Sequence, residues 1–147
     1  KEALEQHLSV RTNELFDKLR GFKIASSLDL RESFLQFPLA PEDRNKTTFT
    51  WGNERYRFVG CPFGLNLLSG KFQYAMEVML DGCHHFIIVF IDDVIIFSNS
   101  LEEHIQHVLR VLRIFNKHNL KLRIDKCHFG YVELTILGHV LSEHDIR

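Results

Sequence analysis

Apolar and polar positions along the chain follow two periods, and the switches between them mark out its elements. Leu15, Phe16 and Leu19 fall at helical spacing after Thr12 and Asn13, and Gly21 stands where such a helix would end. Phe22 to Leu30 reads as a strand with Ile24 and Leu28 inward and Asp29 near its end. Ser33 to Leu39 reads as a second extended run, stopped by Pro38 and Pro41. Thr47 to Trp51 and Glu54 to Val59 form a predicted hairpin across Gly52-Asn53, with Arg55 and Arg57 on its outer face. After the turn chemistry of Cys61-Pro62-Phe63-Gly64, a helix is predicted from Ser69 to about Leu80, with Phe72, Ala75, Met76 and Met79 as its core stripe.

Phe86 to Ser98 is the most apolar stretch, two β-branched and aromatic runs that meet at Asp92-Asp93. It reads as a buried hairpin with the two acids at its turn. Adjacent carboxylates repel each other and lack the positive-φ preference of a tight turn. They fit either a solvated turn or a divalent-metal site. Ser100-Leu101-Glu102-Glu103 is a capping box. It opens a helix with Leu101, Ile105, Val108, Leu109, Leu112 and Phe115 along one face, closing near Asn119, and with Arg110, Arg113 and Lys117 solvated. Leu120 to Ile124 and Leu134 to Leu141, the latter containing Gly138, complete the predicted strands.

The element order is β-α-β-β-α-β, which predicts an α+β fold with a ferredoxin-like split βαβ antiparallel sheet and helices on one face. The hairpin at 47–59 is an insertion between the first strand and the first helix. In this topology Asp29 can approach Asp92 and Asp93, and three oxygen donors on an apolar sheet select Mg²⁺ or Mn²⁺ over zinc.

Composition bounds the partners. The 147 residues suit one domain, and 45% hydrophobic and 25% charged content are ordinary globular values. Thirteen Phe predict an aromatic-rich core, and the net charge of −1 carries no global signature of nucleic-acid binding. Cys61, Cys83 and Cys127 are odd in number and far apart, which fits reduced thiols rather than a disulfide framework. The apolar runs are broken well short of a membrane span. The expectation is a soluble intracellular protein, cytoplasmic or nuclear and not secreted. His104 and His107, one helical turn apart, read as surface residues, and His84-His85 as a loop pair.

Four blocks, in order, resemble the reverse transcriptases of long-terminal-repeat retrotransposons of the gypsy class. They are Ser26-Ser27-Leu28-Asp29-Leu30 through Phe34 with Pro38 to Arg44 and Lys46-Thr47; Pro62-Phe63-Gly64-Leu65 with Phe72-Gln73; Phe90-Ile91-Asp92-Asp93; and Ser98 to His104, Leu120-Lys121-Leu122, Lys126-Cys127 and Leu137-Gly138-His139. The resemblance implies a polymerase palm over residues 13–147, with partial fingers and a 1–12 remnant before it. It implies an RNA-directed DNA polymerase core that adds deoxynucleotides to a primer on an RNA or DNA template. Two ions, Mg²⁺ or Mn²⁺, would be held by Asp29, Asp92 and Asp93. Leu30 and the amides around it would face the triphosphate. Phe34 would exclude a ribose hydroxyl, and Phe63 would line the nucleotide pocket. Lys126 would protonate the leaving pyrophosphate, and Leu137, Gly138 and His139 would form the primer grip. Phe34 and Phe63 also fit plain core aromatics, Lys126 a surface lysine, and His139 a strand residue.

Departures from the family pattern are Phe90 for its usual tyrosine, Leu67 to Ser69 for Asn-Ala-Pro, and Ser33 for a smaller residue. The resemblance supplies no full fingers, thumb, connection or RNase H part, so the rest of a Pol polyprotein is an expected partner. A near-neutral palm alone should bind primer-template poorly. Two other readings stand beside this one: a catalytically silent palm kept as a binding or scaffold module, and a metal-dependent nucleotide cyclase on the same scaffold.

Overall fold

The computed structural model describes residues 17–19, 21–62, 68–90, 93–136 and 139–142; side chains at 68, 69, 90 and 134–142 are not described. Its strands are β1 (Ile24–Asp29), β2 (Phe49–Trp51), β3 (Glu54–Tyr56), β4 (Ile87–Phe90), β5 (Asp93–Ser98), β6 (His128–Tyr131), β7 (Glu133–Ile136) and β8 (His139–Ser142). The helices are α1 (Leu68–Met79) and α2 (Leu101–Lys117), with 3₁₀ turns at Ser33–Gln36, Pro41–Thr47 and Ile124–Lys126. Among the described residues no helix is long and apolar enough to cross a membrane.

The main sheet has the order β4-β5-β1-β6, and every neighbouring pair is antiparallel. This is the expected ferredoxin-like order, with β1 central. Strand alternation gives the sheet two different faces. On one, Leu28, Ile87, Val94 and Ile96 pack with Phe72, Met76 and Leu80 around α1 and with Val111 and Phe115 of α2. On the other, Ala25, Ile88 and Ile95 are covered by Leu19 and Phe22. That second cluster stops short of the last rung, where Asp29 and Asp93 lie.

Four expectations about elements need correction. Leu120 to Ile124 is no strand: it contributes a single bridge, Leu30 to Leu122, before the 3₁₀ turn at Ile124–Lys126. The edge strand is β6, whose four residues are all exposed, so no alternation betrays it; Gly130 within it has φ +69°. Leu134 to Leu141 is two strands rather than one, because β7 and β8 pair antiparallel with Ile136 opposite His139; Gly138 lies outside the described residues. Ser33 to Leu39 begins as a 3₁₀ turn entered through Glu32 at φ 45°, and becomes extended only where Pro38 bridges Gly60. A Cβ at Gly60 would lie 2.9 Å from the Leu35 carbonyl carbon, so this crossing requires glycine. Finally, Asp93 does not sit in a turn: Phe90 pairs with it, which makes it the first residue of β5, and Asp92 lies outside the described residues.

Helix α2 begins with the predicted cap: Ser100 Oγ accepts from the Glu103 amide at 3.2 Å, and Glu103 accepts from the Asn99 amide at 2.8 Å. Of the predicted stripe, Phe115 is buried and Val108 and Leu112 pack against the core, whereas Leu101, Ile105 and Leu109 face outward. The buried face is completed instead by Val111 and by His104, which is 3% exposed.

His104 is accommodated by a polar chain through the core. The Gly130 amide donates to Ser26 Oγ at 3.0 Å, and Ser26 Oγ lies 2.7 Å from His104 Nε2. Ser98 Oγ lies 2.9 Å from His104 Nδ1 and 2.7 Å from His107 Nδ1. An assignment that uses every proton runs one way. Ser26 donates to His104 Nε2, His104 Nδ1–H donates to Ser98, and Ser98 donates to His107 Nδ1. Both imidazoles are then neutral. Burial pushes the His104 pKa down, with His107 adding to the effect and Glu103 opposing it. Burial likewise lowers His107, against the pull of Glu103, with His85 and Arg110 also facing it.

Because the folded pKa values lie below the unfolded value, the contribution is complete above pH ~6.5 and is lost as pH falls through the depressed folded values. The melting temperature is expected to fall between pH 7 and pH 5, and His104→Asn should flatten that fall. An equal slope in wild type and variant would contradict the neutral relay.

Candidate active site

The site is built from the end of β1 and the start of β5. Their ladder runs Leu28 to Val94 and Asp29 to Asp93, so the two acids are direct partners. Directly opposed residues share a face, with Cβ atoms about 5 Å apart. Both acids are half-buried. They point away from the helices, at the rung that the Leu19–Phe22 cluster leaves uncovered. Two carboxylates this close on an otherwise apolar sheet favour a cation between them. Their oxygens are hard donors suited to Mg²⁺ or Mn²⁺. Among the described residues no group of three metal-ligating side chains forms; Asp92, the third acid of the expected set, lies outside them.

The other edge of β1 is held differently. Its pairing with β6 ends at Ser27. Beyond it, the segment 121–127 takes over: the Arg123 amide donates to the Asp29 carbonyl at 2.9 Å, and the Asp29 amide donates to Cys127 Sγ at 3.4 Å. Cys127 Sγ also lies 3.3 Å from the Arg123 carbonyl, to which the thiol proton can be given. Burial pushes the Cys127 thiol up; the Asp29 amide opposes this, and the Asp29 and Asp125 charges reinforce it. The side chain is thus a neutral thiol that completes the hydrogen bonding of the acid's own peptide. Nothing in the spacing of the three cysteines signalled that role. Only the position of Cys127 beside Lys126 in a family-like block drew attention to it.

The remaining expected residues fare unequally. Leu30 is buried and bridges Leu122. Phe34 is 9% exposed and packs 4.9 Å from Phe72, so the core contact is present whatever else the ring does. Lys126 is exposed at the end of its 3₁₀ turn, next to Cys127. His139 opens β8, opposite Ile136. Phe63, Leu137 and Gly138 lie outside the described residues.

Residues 2–141 match the family described as reverse transcriptase (RNA-dependent DNA polymerase). This chain belongs to the reverse transcriptase family. Among its relatives are the enzymatic polyprotein of figwort mosaic virus (strain DxS), 34% identical over 91% of this chain and 20% of that polyprotein. Another is the retrovirus-related Pol polyprotein from transposon 297 of Drosophila melanogaster, 33% identical over 92% of this chain and 13% of its own length. The chain therefore spans a fifth or less of these curated relatives. Among solved structures, the foamy viral protease-reverse transcriptase in complex with RNA/DNA hybrid superposes with a TM-score of 0.81 at 21% identity. That match covers 89% of this chain and 18% of the larger one. At that identity the likeness establishes the fold: the reverse transcriptase domain here has the palm's antiparallel sheet and helices.

The thiol contact is directly testable in this domain. Cys127→Ala is expected to speed hydrogen exchange at the Asp29 amide and to cost about 1 kcal/mol of stability, with Cys127→Ser recovering part of both. Unchanged exchange at Asp29 in the alanine variant would remove the thiol from the site.

Proposed function

We propose that residues 13–147 are the palm and partial fingers of an RNA-directed DNA polymerase of the gypsy class of long-terminal-repeat retrotransposons. It works as part of a larger Pol polyprotein in the cytoplasm or nucleus. The observation that carries this is the pairing of Asp29 with Asp93 on the open face of the sheet. Together with Asp92, the residue before Asp93 in the chain, they would form the oxygen donor set for two divalent ions, Mg²⁺ or Mn²⁺. When bound, the ions supply charge neutralisation at the attacking 3′-hydroxyl and at the leaving pyrophosphate.

The chain's own residues do the rest. Asp29 is held at both backbone groups, by Arg123 and Cys127, so its carboxylate starts from a fixed peptide. Of the amides around Leu30, those of Asp29 and Arg31 are already given to Cys127 and to the Lys121 carbonyl, so the Leu30 amide is the one offered to the triphosphate of the incoming deoxynucleotide. Phe34, 9% exposed and backed by Phe72, is the ring that would exclude a 2′-hydroxyl. Phe63 lines the same pocket. Lys126 is exposed and free to carry a proton to the pyrophosphate. Leu137, Gly138 and His139, the last of which opens β8, grip the primer strand. The net charge of −1 assigns most phosphate binding to the remainder of the polyprotein.

Primer extension on an RNA template should therefore be weak or absent for this chain and present for a version lengthened at both ends. In the longer protein, Asp29→Asn and Asp92→Asn should each reduce Mg²⁺-dependent extension about a thousandfold or more, whereas Phe34→Val should admit ribonucleotides. Full activity of either asparagine variant would refute the catalytic assignment. Inactivity of the longer wild-type protein would point instead to a palm retained as a binding or scaffold module.

A further inference from the structure

We infer that Gln36, which belongs to none of the roles above, is a positioning residue for sugar selection. The inference rests on the polymerase reading. The carboxamide of Gln36 is half-buried between two backbone segments and bonds to both. Its Oε1 accepts from the Lys121 amide at 2.6 Å, and its Nε2 donates to the Lys121 carbonyl at 3.0 Å. The same Nε2 also donates to the Arg31 carbonyl. A carboxamide carries an acceptor and two donors in one plane, so it can stand in for a strand's peptide group where no strand is present.

What it clasps is the turn that carries Phe34. This turn is entered through Glu32 in the left-handed region, at φ 45° and ψ 51°. A non-glycine residue there is unfavourable and persists only when its surroundings hold it. Locally, the Leu35 and Gln36 amides both donate to the Glu32 carbonyl, at 2.9 and 3.3 Å, and the Phe37 amide donates to the Phe34 carbonyl at 3.1 Å. Tertiary support comes from Phe72 against Phe34 and from the Gln36 clasp onto Lys121.

Lys121 in turn begins the segment that fixes Asp29. The Arg31 amide donates to the Lys121 carbonyl at 2.9 Å, and two residues later Arg123 binds the Asp29 carbonyl. Gln36 therefore closes a loop of hydrogen bonds that makes the sugar-facing ring and the metal-binding acid one rigid unit. Remove it, and the turn loses its side-chain bonds to that segment, while the Arg31 bond remains. The ring can then shift relative to the acid, and the distance between sugar and reacting phosphate is no longer fixed. Gln36 touches neither, so its effect is on discrimination rather than on chemistry.

The measurement is the ratio of kcat/KM for deoxynucleotide over ribonucleotide, taken on the lengthened polyprotein. This ratio is independent of the fraction of folded enzyme, so a purely structural loss leaves it unchanged. Gln36→Ala is expected to lower it about tenfold or more. Gln36→Glu keeps the acceptor for the Lys121 amide but turns an oxygen toward two carbonyls, and it should lower the ratio at least as far. Adding Gln36→Ala to Phe34→Val should change the ratio little further, because both act through one ring. Wild-type selectivity in active Gln36→Ala and Gln36→Glu proteins would overturn the clasp alone. A lengthened wild-type protein that extends no primer would overturn the polymerase reading, and the clasp's role with it.

Discussion

The antiparallel register between β1 and β5 is the constraint on which this molecule depends. It sets Asp29 opposite Asp93 and, in the same ladder, Leu28 opposite Val94 and Ser26 opposite Ile96. A slip of β1 by one residue would turn Asp29 into the helix-packed core, away from Asp93, and Leu28 out of it. Register and site are thus one property. The apolar partners on the helix side fix the alternation, and the acids take their position from it. The central placement of β1 adds a second hold, since both its edges are occupied up to Asp29.

That second edge explains why the segment 121–127 is irregular. A regular strand would offer Asp29 only peptide groups at fixed spacing. The observed chain instead supplies one amide from Arg123 and one thiol from Cys127, around a 3₁₀ turn that leaves Lys126 exposed on the same side of the chain's path. The irregularity frees a lysine from ladder geometry while the acid remains fully bonded. Gln36 serves the same end from the opposite segment, closing with a side chain what backbone pairing leaves open.

The sequence made the βαββαβ order, the hairpin around the acids, the cap at Ser100 and the meeting of Asp29 with the second acid legible, because these rest on local periodicity and turn chemistry. It hid what tertiary contacts decide. β6 is short, wholly exposed and glycine-containing, so it carries no periodic signal. The inward face of α2 was only half legible, because beside Val108, Leu112 and Phe115 it is completed by a histidine satisfied by two serines. The roles of Gln36 and Cys127 are invisible to any pattern, since their partners are backbone groups 85 and 98 residues away. Polar residues read as surface until their partners are known.

The placement of the satellite cluster completes the physical account. Leu19 and Phe22 cover Ala25, Ile88 and Ile95 but extend no further along the sheet. Had the cover reached the next rung, Asp29 and Asp93 would be buried as an uncompensated pair, at a cost of several kcal/mol per charge. Had it stopped earlier, apolar strand residues would be exposed and the sheet weakened. The boundary lies where burial of the sheet is nearly complete but the carboxylates keep access to solvent and to ions. Stability is therefore drawn from both faces of the sheet along most of its length, and only the final rung, where chemistry is proposed, is left open.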